Sequence, residues 1–253
     1  LKILHNNNIE NFIMEALIFD CDGVLVDTER DGHRVAFNMA FAHYGINVEW
    51  SIEEYKRLLK IAGGKERMKY FFDETKWPSQ FENQEQLILE LHKQKTSFFM
   101  QLIESGTLPL RSGIKRLVDE AISHNLKMAV CSTSNEKSVR LIVELLLGKE
   151  RANNFHAILA GDMVSRKKPD PEIYNLCINR LNINPKNCVV VEDSRNGLIA
   201  AKAAHFNCLI TTNGYTVDED FGEADMLIDE LGDEPNIKVT INELIQLVKN
   251  KNK

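Results

Sequence analysis

The sequence predicts an α/β protein: a Rossmann-like parallel sheet with helices on both faces, plus a small α-helical domain inserted after the first strand. Three observations predict it. Five short, nearly continuous apolar runs recur along the 253 residues, with helical spacing between them. Between residues 31 and 104 that rhythm stops, and only helical patterns occur. Two of the apolar runs end directly on paired acids, Asp20 with Asp22 and Glu192 with Asp193.

Taken in order, residues 1–13 (LKILHNNNIENFI) carry no clear periodicity and are set apart as an N-terminal extension. They lack the long apolar centre of a secretory signal. The first strand is ALIFD (16–20). Phe37, Ala40, Phe41 and Tyr44 then form a helical stripe stopped by Gly45. A second helix is expected over 52–61, ending at Gly63-Gly64, a third from near Lys65, and a long one over 84–104 with Leu87, Leu91, Phe98 and Leu102 inward. This insertion, 31–105, has expected hinges near 30 and 106, the second marked by Gly106 and Pro109. The core is therefore 14–30 with 106–253.

Beyond 106 the strands are MAVCS (128–132), HAILA (156–160), CVVVE (188–192) and CLIT (208–211), with DMLID (225–229) a weaker sixth. Ile114, Leu117, Val118, Ala121 and Ile122 fit one helical stripe. Val139, Ile142, Val143, Leu146 and Leu147 fit another, and Ile241, Leu244, Ile245 and Val248 a third.

Composition excludes several function classes. A net charge of −6 argues against a nucleic-acid footprint. No apolar run approaches the ~20 residues that span a bilayer. Five cysteines, an odd number without a CxxC pair, read as small buried hydrophobes in a reducing compartment rather than a zinc site.

The acids carry the chemistry. Residues two apart on a strand face the same way, so Asp20 and Asp22 point into one site and Cys21 points behind. In open α/β sheets ligands sit beyond the carboxyl ends of the strands. Glu192, Asp193 and Ser132 lie at such ends too. Either acidic pair alone also fits a solvated loop; two pairs, each directly after a buried strand, fit that poorly. Four clustered carboxylates repel unless a cation neutralises them, and hard oxygen ligands suit Mg²⁺. In SRKKPDP (165–171), Pro169 pushes Lys168 towards an extended conformation from which it can balance the acids. Spacing alone does not choose between Lys168 and the adjacent Lys167.

DCDG with VLVD, then CSTSN, KKPDP and VVVEDS, resemble the four signatures of the haloacid-dehalogenase superfamily, in the right order, over about residues 15–230. The helical insertion resembles that superfamily's small cap. Within it, DTERDGHRVAFNMAF (27–41), LLKIAGGKERM (58–68) and LHKQKTSFF (91–99) look like the CbbY-type proteins, the plant and algal branch above all. Those are phosphatases of xylulose 1,5-bisphosphate, a misfire product that inhibits Rubisco.

The resemblance implies roles. Asp20 is the nucleophile that forms an aspartyl phosphate, and Asp22 is the general acid and then the general base. Mg²⁺ is held by Asp20, the Asp22 backbone carbonyl and Asp193, with Glu192 direct or through water. Ser132, the Thr133 N–H and Lys168 hold the phosphoryl oxygens. Gly64, Lys65 and Arg67 in the cap, with Ser134 and Asn135 from the core, meet a distal phosphate. Glu29, His33 and Tyr55 serve the sugar hydroxyls and the relay around Asp22. Lys93 and Lys95 read as a solvated face. A monomer in the plastid stroma, or otherwise a reducing cytoplasm, is expected, with no nucleic-acid or membrane partner. Alternatives are a phosphatase of phosphoglycolate or another small sugar phosphate, a mutase of the β-phosphoglucomutase kind, or a non-enzymatic phospho-acceptor module. Asp22 argues against the last, because a receiver needs no acid two residues after its acceptor.

Overall fold

The computed structural model describes residues 14–61 and 63–251, so the extension assigned to 1–13 lies outside it. Six strands form one parallel sheet: β1 (Ala16–Phe19), β2 (Lys127–Cys131), β3 (Phe155–Leu159), β4 (Cys188–Glu192), β5 (Asn207–Thr211) and β6 (Met226–Ile228). Their order is β3-β2-β1-β4-β5-β6. The weak DMLID run is the edge strand β6, paired with β5 through Leu209 and Met226.

The strands form because their apolar residues are buried on both faces, and period two sorts them into two layers. Leu17 and Phe19 of β1, Met128 and Val130 of β2, and Val189 and Val191 of β4 enter one core. Ala16, Ile18, Ala129, Cys131, Cys188 and Val190 enter the other. Fully burying each Val, Leu, Ile or Phe side chain is worth roughly 1.5–3 kcal/mol. The first core is covered by α5 (Ile114–Ser123), α6 (Glu136–Leu146) and α10 (Ile241–Lys251). The second is covered by α8 (Glu172–Leu181) and α9 (Arg195–Ala203). A short α7 (Lys149–Ala152) follows α6. All five cysteines are buried and free, Cys21 in the first layer and the other four in the second.

β1 has β2 on one side and β4 on the other, with Phe19 opposite Val130 and Val191. The chain therefore leaves β1's neighbours in opposite directions. That switch point opens a crevice at the carboxyl end of β1, where Asp20 begins.

Between β1 and β2 the chain is helical: α1 (Arg34–His43), α2 (Ile52–Leu58), α3 (Gly64–Glu74) and α4 (Gln84–Glu104). These helices have a core of their own, built around Trp50. Its ring centroid lies 4.8 Å from Phe37, 5.0 Å from Phe41 and 5.5 Å from Phe71. Three differences from the expected elements matter. The chain enters this region through a single π-helical turn, Thr28–His33, started by the Asp27 carboxylate accepting from Arg30 N at 3.1 Å. Helix α2 stops at Leu58, short of 61, and Ile61 N closes back on Leu58 O at 3.0 Å. In α4 the buried line is Leu87, Ile88, Leu91, Lys95, Phe99 and Ile103, so Phe98 and Leu102 are only partly covered. Lys95 is thus buried at 8% exposure, which corrects its reading as a solvated residue. It falls four residues after Leu91 and four before Phe99, on the inward face.

Candidate active site

The loop after β1 is wound tightly. Asp20 N still reaches Val191 O at 2.9 Å, Gly23 N reaches Val26 O at 2.7 Å, and Leu25 N reaches Cys21 O at 2.9 Å. Gly23 has φ +86°, and a Cβ there would lie 2.0 Å from Asp193 Oδ2. A side chain at this position would drive the aspartate out of the site. Gly197 is constrained in the same way, since its Cβ would meet Glu192 Oε2 at 2.0 Å.

Lys168 answers the question that spacing left open. Its Nζ donates to Asp20 Oδ1 at 2.6 Å, Glu192 Oε1 at 2.5 Å and Cys131 O at 2.8 Å. Lys167 instead donates to Thr133 O at 3.1 Å. Lys168 lies outside any helix, as expected, in the turn of a cis Lys168–Pro169 peptide. Burial opposes its charge, but Asp20 and Glu192 outweigh that and raise its pKa.

Asp20, Glu192 and Asp193 are all buried, and each brings a carboxylate oxygen within 4.8 Å of the others. Asp20 is pushed up to about 7, by burial first, against the pull of Lys168, and by repulsion from Glu192 and Asp22. Asp193 is also raised, by burial and then by Asp20 and Glu192. Negative charge here exceeds what one ammonium balances. A buried, all-oxygen donor set of this kind fits a hard divalent cation.

Asp22 has different surroundings. Its Oδ1 accepts from Thr28 Oγ1 at 2.7 Å, and its Oδ2 accepts from Ser132 Oγ at 3.2 Å and Ser134 Oγ at 2.6 Å. Ser134 therefore meets Asp22, and Asn135 caps α6 by accepting from Ser138 N at 3.0 Å.

On the cap side, the Tyr55 hydroxyl donates to Glu29 Oε2 at 2.6 Å and accepts from Arg67 Nη1 at 3.0 Å. The other guanidinium nitrogens of Arg67 donate to Leu58 O at 3.1 Å and Ile61 O at 3.3 Å. His33 Nδ1 lies 2.8 Å from Lys95 Nζ. Burial, then Lys95, lowers His33 to about 3, and burial lowers Lys95 to about 8. His33 is therefore neutral at physiological pH and accepts from the Lys95 ammonium. Gly64 packs against His92 and Phe37, and Lys65 is exposed beside Glu66, Trp77 and Gln84.

A cavity of about 320 Å³ joins these groups, lined by Asp20, Asp22, Glu29, Thr133, Lys168 and Tyr215 among others. Of the residues expected at the site, His33, Tyr55, Gly64, Lys65, Arg67, Ser132, Ser134 and Asn135 do not line it. A larger groove of about 580 Å³ follows the edge of β3 and reaches none of these residues. Three contributors escape sequence reasoning. Tyr174 donates to Glu192 Oε1 at 2.5 Å, Thr28 to Asp22, and Asn213 Nδ2 to Asp193 Oδ2 at 2.7 Å. Asn213 lies just past β5, where the strand-end rule that finds Ser132 would find it too. Tyr174 sits in an ordinary apolar helical stripe and gives no signal.

The pattern of the haloacid dehalogenase-like hydrolase family matches residues 14–205. A CBBY-like protein of Arabidopsis thaliana is 55% identical over 224 residues, which are 87% of this chain and 70% of that one. Protein CbbY of Cereibacter sphaeroides is 39% identical, over 87% of this chain and 94% of its own. The crystal structure of CbbY from Rhodobacter sphaeroides in complex with phosphate superposes with a TM-score of 0.69 at 38% identity, covering 88% of this chain and 97% of that one. A mutant of that protein, in complex with xylulose-(1,5)bisphosphate, matches equally well. With two acidic strand ends, a bridging lysine and a helical insertion above them, the chain belongs to the haloacid dehalogenase-like hydrolase family and, within it, to the CbbY proteins.

Proposed function

We propose that this hydrolase is a magnesium-dependent sugar-phosphate phosphatase working through an aspartyl phosphate on Asp20, with xylulose 1,5-bisphosphate cleaved at C1 to xylulose 5-phosphate. The observation that carries the reading is the contrast between two carboxylates facing one cavity. Asp20 is paired with a buried ammonium, while Asp22 is held by three hydroxyls, those of Thr28, Ser132 and Ser134. The ammonium favours the ionised, attacking form of Asp20, and the three hydroxyls hold Asp22 in a fixed orientation for the proton-transfer role that the family resemblance gives it. The bound xylulose-(1,5)bisphosphate in the CbbY mutant supports the substrate.

In the first step an oxygen of Asp20 attacks phosphorus, the bond from phosphorus to the sugar oxygen breaks, and protonated Asp22 gives that oxygen its proton. In the second, water attacks the same phosphorus, Asp22 takes its proton, and Asp20 is released with inorganic phosphate. Ser132 Oγ, Thr133 N–H and Lys168 Nζ steady the phosphoryl oxygens. Asp20, Asp193 and the Asp22 carbonyl, with Glu192 direct or through water, would hold Mg²⁺, which would supply the charge that lets a carboxylate approach an anionic phosphate.

The distal phosphate is assigned to Gly64 and Lys65, in the first turn of α3, where the helix dipole favours an anion. Arg67 supports that turn through its bonds to Leu58 O and Ile61 O. The joints near 30 and 106 are the proposed hinges that carry Lys65 over the cavity. Removal of a Rubisco inhibitor in the plastid stroma is the physiological role we propose.

The test is a substrate panel. Purified protein with Mg²⁺ should release phosphate from xylulose 1,5-bisphosphate at least about tenfold faster than from ribulose 1,5-bisphosphate or phosphoglycolate. Equal rates on all three would remove the specific substrate and leave the phosphatase.

A further inference from the structure

Among the described residues, three buried side-chain polar atoms lack a hydrogen-bond partner: Trp50 Nε1, Arg195 Nη1 and the Tyr215 hydroxyl. Of these residues only Tyr215 lines the acidic cavity. A buried hydroxyl without a partner is costly, and in a residue that lines a cavity an arriving group can satisfy it once the ring shifts to expose it.

The position of Tyr215 is built, not incidental. Asn213 Oδ1 accepts from Tyr215 N at 2.9 Å and from Thr216 N at 3.2 Å, while Asn213 Nδ2 holds Asp193. The loop that carries Tyr215 is thereby fastened to a carboxylate of the site. The Tyr215 ring meets Tyr55 of the cap edge-on, with centroids 6.0 Å apart. Tyr55 in turn holds Glu29. A second link, Lys56 Nζ to Asp218 Oδ2 at 2.8 Å, ties α2 to the same loop. Tyr215 therefore stands where cap and core meet, with Glu29 and Asp27 also lining the cavity.

We propose that Tyr215 is a substrate-contacting, specificity-determining residue whose hydroxyl donates to a hydroxyl of the sugar chain, with Glu29, on the same cavity, as that hydroxyl's acceptor. An alcohol is the group that fits: it accepts from Tyr215 and donates to Glu29 at once. A carboxylate in the same place would face Asp27 and Glu29 and be repelled. Burial, then the nearby Asp27, raises the phenol to about 12, so it is a protonated donor at neutral pH. The inference deepens the sugar-phosphate reading and rests on it: this part of the site selects polyhydroxylated phosphates and rejects carboxylated ones such as phosphoglycolate.

Tyr215→Phe removes the hydroxyl and keeps the ring against Tyr55. On xylulose 1,5-bisphosphate, kcat/KM should fall about tenfold, and on p-nitrophenyl phosphate, which has no sugar hydroxyl, by less than about twofold. The Phe variant should melt no lower than the parent, because it loses an unpartnered buried group. An equal fall on both substrates, or no fall on the sugar phosphate, would overturn the inference while the parent's sugar-phosphate activity stands. A parent that hydrolyses p-nitrophenyl phosphate but no sugar phosphate would overturn the substrate reading, and this inference with it.

Discussion

Lys168 Nζ and Asp20 Oδ1 lie 2.6 Å apart, although 148 residues separate them in the chain. The contact joins the carboxyl end of β1 to the loop beyond β3, across β2. Its partners are almost wholly buried, with side-chain exposures of 5% and 10%. Removing the ammonium leaves the buried carboxylates of Asp20 and Glu192 uncompensated, whereas removing Asp20 leaves Lys168 still paired with Glu192. Lys168→Met should therefore lower stability by about 3–5 kcal/mol in urea unfolding without metal. Phosphate release should fall by about 10²–10³-fold. Unchanged stability would show that Lys168 does not balance the acids. The folded pKa of Lys168 is raised, so its contribution is complete below its unfolded value and is lost only as pH rises through the higher folded one. It should thus persist throughout the neutral range.

Asp20 makes the opposite contribution. Its folded pKa is raised to about 7, so between the unfolded value and 7 the folded state binds the extra proton. The stability this confers is present at low pH and is lost as pH rises through about 7. Without metal, Asp20→Asn should be more stable than the parent at pH 8, by on the order of 3–4 kcal/mol, with the gap closing towards pH 4. Mg²⁺ should stabilise the parent and barely affect the variant. A gap independent of pH would contradict this ionisation.

Lys95 is a buried cation whose hydrogen-bonding neighbour is neutral His33, with Phe37 and Phe99 rings 4.8 and 5.3 Å from its Nζ. Burial holds it near 8, below its unfolded value. It therefore costs stability at neutral pH, and the cost disappears as pH rises to about 10. Lys95→Met should stabilise the protein by about 2–3 kcal/mol at pH 7, with little difference at pH 10. A lower urea midpoint at pH 7 would show that its aromatic contacts outweigh desolvation.

Lys65 is exposed in this arrangement, so it meets a distal phosphate only when the cap or its own side chain moves. If it does, Lys65→Ala should raise KM for xylulose 1,5-bisphosphate about tenfold and leave monophosphates nearly unchanged. An equal change for both classes would assign Lys65 to the outer surface of the cap.

These cases mark what is legible in the chain. The strands, Asp20 with Asp22, and Glu192 with Asp193 are local patterns, and β1 and β4 carry them where period two requires. Pro169 points to Lys168, spacing leaves the adjacent Lys167 open, and the reach of Lys168 to Asp20 chooses between them. Tyr174 and Thr28 act on partners 18 and 6 residues away, and neither has a local feature that sets it apart. Lys95 was legible through its spacing from Leu91 and Phe99, but its charge pointed to solvent. The π-helical turn at Thr28–His33 has no spacing signal, because one turn is too short to show a period.

Whether Asp20 carries the phosphoryl group is read by acid-quenching the protein during turnover of xylulose 1,5-bisphosphate with Mg²⁺ and measuring peptide masses. One added phosphoryl group is expected on Asp20, absent when Asp20→Asn is treated alike. Steady phosphate release with Asp20 unmodified, or with the label on Ser132, would contradict it.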